Sequence, residues 1–397
     1  MNHNLGQPDP RLWDENGPDC GVLGTPFIGD ELDTAGMNPS RTIRRGQLQI
    51  TLPANGGLSA IDRPNNTWDS FDWAPLDIAD EEFPDGRIAS WGAGQLGKQH
   101  GGPFLLAVGF YKPHQPFFAP RKYFDLYDPT QIALPKTIGG DLYDIPQPGR
   151  ELATRPWTSG THRTVMQHGA WRDAVRAYLA TVSFVDALVG KVIDALDRGP
   201  HADNTWIILW SDHGWSLGEK EHWGKHVPWR ESVRMPLLIV PPKNARPEGF
   251  TAGARCGAAV SLLDLYPTLL EACGLPNRKE LEGRSLLPLV AEPETKWNEA
   301  VVATSRGPCR SGPDFRPVYL PMIRVPIPGL LPDACLWEWL RRRPRHGMLA
   351  LSFRPAKSSR VCGPRGSNRR SLAPGRDAQR VANRCSPRFA IEARSGS

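Results

Sequence analysis

Tyr178-Leu-Ala-Thr-Val-Ser-Phe-Val-Asp-Ala-Leu-Val-Gly-Lys-Val-Ile-Asp-Ala-Leu196, followed by the apolar run Thr205-Trp-Ile-Ile-Leu-Trp210, decides the fold class. In the first segment Tyr178, Val182, Val185, Val189, Ile193 and Leu196 recur every three or four residues, so they share one face of a helix. An amphipathic helix between Trp171 and Arg198 is therefore expected. The second segment is short and apolar throughout, the pattern of a strand buried on both faces.

The same alternation extends outward. Asp85-Gly-Arg-Ile-Ala-Ser-Trp-Gly-Ala-Gly-Gln-Leu96 reads as a helix and leads to the apolar run Pro103-Phe-Leu-Leu-Ala-Val-Gly-Phe110. Met235-Pro-Leu-Leu-Ile-Val240 reads as another strand and Ser261 to Cys273 as another helix. Strands alternating with helices predict a layered α/β sheet covered by helices on both faces, with functional residues in loops at the strand ends. Before this region, Met1 to about Asn66 is rich in Gly, Pro, Asn and Asp, and only Gln47-Leu-Gln-Ile-Thr-Leu52 suggests a strand.

At 397 residues with 40% hydrophobic content, the chain is long enough for one large domain or two smaller ones. No apolar run approaches the roughly eighteen residues of a membrane span. The opening Met1-Asn-His-Asn-Leu-Gly-Gln7 lacks the charged and apolar regions of a secretion signal, which leaves the compartment open with the cytoplasm as the default expectation. The net charge of +6 conceals an asymmetry: residues 304–397 hold 18 Arg and 1 Lys against 5 acidic residues, a formal +14, which leaves −8 for residues 1–303. Arg, Pro, Gly, Ser and Ala are what GC-rich DNA yields out of frame, so a shift of reading frame near Thr304 is expected. Two regions follow: 1–303 as a catalytic body and 304–397 as an Arg/Pro-rich tail of no recognisable fold. Cys309, Cys335, Cys362 and Cys385 lie in the tail at spacings that match neither a zinc site nor a redox motif, and Cys20, Cys256 and Cys273 read as ordinary thiols.

Three polar clusters follow apolar strands. Lys112-Pro-His114-Gln-Pro116 puts a cation and an imidazole on a turn stiffened by proline, which suits an anionic ligand. Ser211-Asp212-His213-Gly214 offers a carboxylate and an imidazole able to hold a divalent metal, with a glycine that permits a sharp turn. Gly218-Glu-Lys-Glu-His222-Trp-Gly-Lys225-His226 is a loop dense in groups that pair with anions. Each cluster taken alone reads equally well as a solvated polar turn. Their joint order after successive strands favours a site.

These motifs resemble the sulfatase family, in the branch that includes iduronate-2-sulfatase and choline-sulfatase-like enzymes. The resemblance rests on Phe104 to Phe117, Tyr178 to Gly190, Ser211 to Glu219 and Trp223-Gly-Lys225, with support from Met235 to Val240, Leu263-Asp-Leu-Tyr-Pro-Thr268 and Leu281 to Leu286; it extends to about Val302. It implies an alkaline-phosphatase-like α/β sandwich, a mostly parallel sheet between helices, incomplete at its N-terminus. It also implies sulfuric ester hydrolysis on a sulfated small molecule or sugar. By position, Asp212 and His213 correspond to ligands of a calcium ion, His114 to the residue that protonates the leaving alcohol, and Lys225 to a cation on the sulfate oxygens, with Lys112 a weaker candidate beside it.

Relatives carry their nucleophile in a Cys-x-Pro-x-Arg segment whose cysteine becomes formylglycine. Cys362-Gly-Pro-Arg365 and Cys385-Ser-Pro-Arg388 place Arg one position too early, and Met37-Asn-Pro-Ser-Arg41 has a thioether in place of the thiol. A truncated chain with little turnover of its own is therefore expected. Two alternatives remain: a phosphatase or phosphonate monoester hydrolase of the same superfamily, and a non-catalytic protein that binds anions or nucleic acid through its Arg-rich tail. No specific nucleic-acid partner is expected, and oligomeric state is left open.

Overall fold

The structure, a computed structural model, describes residues 13–18, 71–155, 161–297 and 301, together with the backbone of three strands outside those ranges. The chain divides into two units, Gly17–Ala356 and a second composed of Met1–Asn16 and Lys357–Ser397; every element below belongs to the first. The strands are β1 (Arg41–Arg45), β2 (Leu48–Leu52), β3 (Trp73–Leu76), β4 (Ala107–Phe110), β5 (Phe117–Pro120), β6 (Ile207–Ser211), β7 (Ser216–Leu217), β8 (Trp223–Gly224), β9 (Leu237–Val240) and β10 (Leu349–Phe353). The helices are α1 (Pro84–Leu96), α2 (Arg121–Phe124), α3 (Gln147–Ala153), α4 (His162–Gln167), α5 (Trp171–Arg198), α6 (Arg230–Val233), α7 (Leu265–Ala272) and α8 (Leu287–Ala291).

Helix α5 forms over the expected residues, and four residues of the anticipated stripe, Val185, Val189, Ile193 and Leu196, are buried. The buried arc is wider than that stripe, taking in Ala177, Ala180, Thr181, Phe184, Leu188 and Val192, whereas Val182 is 39% exposed and Tyr178 half-buried. The small residues on the inner arc let α5 lie close against α1 and β5, and Val182 falls on its flank. Phe83, just before α1, meets Phe184 of α5 edge-on at 5.0 Å, and Lys191 Nζ donates to Ser90 Oγ at 2.8 Å, linking the two helices.

The main sheet has the order β4-β10-β6-β9. β10 runs parallel to both β4 and β6, and β9 runs antiparallel to β6. This mostly parallel sheet with α1 and α5 packed beside it is the expected α/β arrangement. Two expectations change. The apolar run from Pro103 yields only the four-residue β4, because pairing with β10 starts at Ala107; upstream of it Leu105 is 50% exposed. The tail, read as having no fold, supplies a central strand, with Leu351 opposite both Val108 and Leu209.

The 303/304 boundary, the tail outside β10 and the three imperfect nucleophile motifs lie outside the described residues, apart from Arg41 at the head of β1. Among the described residues no helix is long and apolar enough to cross a membrane, and neither Cys256 nor Cys273 forms a disulfide.

Candidate active site

Because β4 and β6 both run parallel to β10, their C-terminal ends point the same way, and the segments that leave them meet at one end of the sheet. β4 feeds the turn Tyr111–Pro116, and β6 feeds Asp212–Trp215. Gly214 is required there for close approach rather than for its turn. A Cβ on it would stand 2.0 Å from the carbonyl oxygen of Glu231, and its N–H donates to Ser232 O at 2.8 Å.

The turn after β4 is held from below by Asp85, in the first turn of α1. Its two carboxylate oxygens accept the N–H groups of Tyr111 and Lys112, each at 2.9 Å. Asp85 is completely buried, and burial pushes its carboxyl above the usual carboxylate range, against the two N–H groups and the Lys112 charge, which hold it down. Burial likewise pushes the Lys112 ammonium down, with Asp85 opposing. Lys112 Nζ donates to His114 O at 3.3 Å and to Pro116 O. The structure thus places Lys112 beneath the turn, as a brace with both bonds to main-chain carbonyls.

His114, above that brace, has its protonation pattern fixed by its neighbours. Nδ1 lies 2.6 Å from Gln115 O and 2.9 Å from Tyr111 Oη, and Tyr111 Oη donates to Gln115 O at 3.1 Å. A carbonyl only accepts, so Nδ1 carries the hydrogen and Nε2 presents its lone pair. That lone pair faces Lys225 Nζ at 3.1 Å. Burial, then the Lys225 charge, drives the His114 pKa well below the ordinary histidine value, so the imidazole is neutral and the proton rests on the lysine. Lys225 is itself pushed down by burial, with Asp212 opposing. Two residues 111 positions apart thus share one buried proton site.

Asp212 and His213 sit side by side, with the Asp212 Oδ1 to His213 Nε2 distance 3.9 Å. His213 Nδ1 donates to Gly214 O at 2.6 Å, leaving Nε2 as a lone pair, and that buried nitrogen has no hydrogen-bond partner. Burial and the Lys225 charge push the His213 pKa down to about 3. A carboxylate beside a neutral imidazole with an unmet lone pair is the donor set of a divalent-cation site. Among the described residues no group of three or more His, Cys, Asp or Glu is arranged to hold a metal.

Trp215 stands between these groups. Its ring lies 5.4 Å from that of His114 and 6.1 Å from that of His213, and Lys225 Nζ is 6.0 Å from its centroid. The loop that carries Lys225 folds through positive φ at Gly218, Lys220, Glu221, Gly224 and His226. At Gly218, with φ 127°, a Cβ would also press within 2.9 Å of His162 and Trp171. Hydrogen bonds from the chain between β5 and β6 hold this unfavourable backbone in place. Trp171 Nε1 donates to Leu217 O at 2.7 Å, Lys220 Nζ to Asp141 O at 3.1 Å, and Trp223 Nε1 to His162 Nδ1 at 3.1 Å. Buried His222 ties the last turn of α3 to the lysine, with Nδ1 2.8 Å from Ala153 O and Nε2 3.0 Å from Lys225 O.

Of the five residues singled out in the sequence, the fold gathers His114, Lys225, Asp212 and His213 and places Lys112 beneath the turn. Asp85, Tyr111 and Trp215 carry no role in the sequence reading, and His222 enters it only as a member of the third cluster. Of the first three, only Asp85 left a trace, an acidic residue opening a helix.

The sulfatase family model matches residues 54–275. A sulfatase of Formosa agariphila is 38% identical over 223 residues, covering 56% of this chain and 43% of that protein. The iduronate 2-sulfatase of Mus musculus is 30% identical over 240 residues, covering 51% of this chain and 42% of that one. Among solved structures, the phosphonate monoester hydrolase of Silicibacter pomeroyi superposes with a TM-score of 0.50 at 23% identity, covering 58% of this chain and 46% of that chain, a likeness of fold. The chain therefore spans less than half the length of the curated relatives it matches. Every side-chain cluster of the site falls inside the matched range, and with more than half of its residues covered by that one model the chain belongs to the sulfatase family.

Proposed function

We propose that this site binds and, given a nucleophile, hydrolyses sulfuric esters of a small molecule or sugar. The observation that carries the reading is the buried Lys225–His114 contact of 3.1 Å beside the Asp212–His213 pair. S–O cleavage requires charge neutralised on the sulfuryl oxygens and a proton for the departing oxygen. Lys225 supplies the positive charge. The proton comes from the pair, resting on Lys225 and reaching His114 Nε2 across their contact. Lys112 stays a brace of the turn, its ammonium bonded to two main-chain carbonyls.

Asp212 and His213 hold a divalent cation, calcium by family resemblance. That ion takes about six to eight ligands, mostly oxygen, so further groups must complete the shell; once bound it adds positive charge toward the substrate oxygens. Trp215 is close enough to sensitise terbium. Excitation of tryptophan should give terbium luminescence that calcium quenches, and Asp212→Asn should abolish it. Equal luminescence from that variant would remove Asp212 from the ligand set.

None of the seven cysteines lies in a Cys-x-Pro-x-Arg segment. This polypeptide alone is therefore expected to turn over aryl sulfates slowly or not at all. Rapid hydrolysis by the purified chain, lost in Asp212→Ala, would show that a nucleophile is present after all. The rival reading, phosphonate ester hydrolysis, is favoured by the likeness of fold to the Silicibacter structure. Competition between an aryl sulfate and an aryl phosphonate for the site separates the two.

A further inference from the structure

Among the described residues four buried side-chain nitrogen or oxygen atoms have no hydrogen-bond partner: Asp80 Oδ1, His213 Nε2, Trp215 Nε1 and Trp297 Nε1. Two of them belong to neighbouring residues of the active site, and they are of opposite kinds. The His213 nitrogen is a lone pair, which a cation answers. The Trp215 indole N–H can only donate, so what answers it is an acceptor. An unpaired buried donor is costly, and such groups in folded proteins call for a functional explanation.

The position of Trp215 supplies one. Trp215 is 9% exposed, and its ring lies within 5.4 to 6.1 Å of the His114 ring, the His213 ring and Lys225 Nζ. An apolar floor beneath those groups would need only the area of a phenyl ring, as Phe117 provides 6.1 Å away. The indole adds a fixed donor beside the Lys225 ammonium and the neutral His114 and His213 rings. Such a donor is strongest toward an anion in a water-poor site.

We propose that the Trp215 indole N–H donates a hydrogen bond to a sulfuryl oxygen of the bound substrate. This deepens the reading of the site given above and rests on it. Trp215 is then a substrate-contacting residue alongside Lys225, and it reads the anion by direction, where the lysine reads it by charge.

The test uses the full chain, labelled with nitrogen-15, and inorganic sulfate as the probe. The Trp215 indole signal is identified by its absence from the spectrum of Trp215→Phe. Sulfate should move that signal downfield in a saturable way, with the same dissociation constant that calorimetry gives. Trp215→Phe should weaken sulfate binding about tenfold, the loss of one hydrogen bond to a charged group. Sulfate binding that leaves the indole signal unmoved, or a Phe variant that binds within about twofold of the wild type, would overturn the assignment while leaving the anion site intact. If the wild-type chain binds no sulfate, both readings fall. If the Phe variant does not fold, Trp215→Tyr identifies the signal in its place, and the wild-type shift on sulfate addition decides.

Discussion

At the scale of single residues, the site is a set of ionisable groups whose pKa values burial moves away from the ordinary ones. His213 shows how this reaches stability. Its folded pKa of about 3 lies below the ordinary histidine value of 6.5, so the unfolded chain takes up the proton first. The contribution of neutral His213 is complete above about pH 6.5 and is lost as the pH falls toward 3. His114 and His222, also held low chiefly by burial, add in the same sense. Asp85, raised by burial, has the opposite sign and favours the folded chain at low pH. Denaturant melts at pH 7 and pH 5 should therefore show a smaller acid loss for His213→Asn than for the wild type. Equal losses would mean that this imidazole titrates normally. The four residues read from sequence were legible because each follows an apolar strand and carries an unmistakable functional group. Trp215 and His222 were not, since an unpaired N–H or a bond to a carbonyl 69 residues away exists only in the folded chain.

At the scale of elements, the turn after β4 depends on a helix that precedes it. Asp85 sits in α1, and the two N–H groups it accepts lie 26 and 27 residues later. Asp85→Ala would leave both buried donors unpaired and remove the carboxylate that acts on the Lys112 charge. A loss of about 3 kcal/mol or more is expected, read as a lowered urea midpoint. A change below about 1 kcal/mol would show that water replaces the carboxylate. Helix α5 was legible because twenty-eight residues of sustained period leave little ambiguity. Its exact inner face was not, because small alanines weigh little in a hydrophobic pattern yet define where another helix can approach. The extent of β4 was hidden for a related reason: a strand ends where its partner ends, and that partner lies far along the chain.

At the scale of the whole molecule, the notable feature is that this partner is β10, from the Arg-rich region. Leu349-Ala-Leu-Ser-Phe353 is too brief an apolar run to stand out among arginines and prolines, and only the vacancy it fills between β4 and β6 gives it meaning. β4 and β6 pair with β10 and not with each other, so the two strands that carry the site are joined through it. If this pairing holds the sheet together, a proline at its centre must damage the fold, because a strand with neighbours on both sides has no N–H to spare. Leu351→Pro should lower the melting temperature by about 5 °C or more and should also weaken binding at Lys225 and His114, because β4 and β6 would lose their common register. The same substitution at Pro-tolerant positions elsewhere in 304–397 should do neither. A Leu351→Pro chain that melts with the wild type would return residues 349–353 to the status of tail, and the expectation of an independent region beyond 303 would stand in its place.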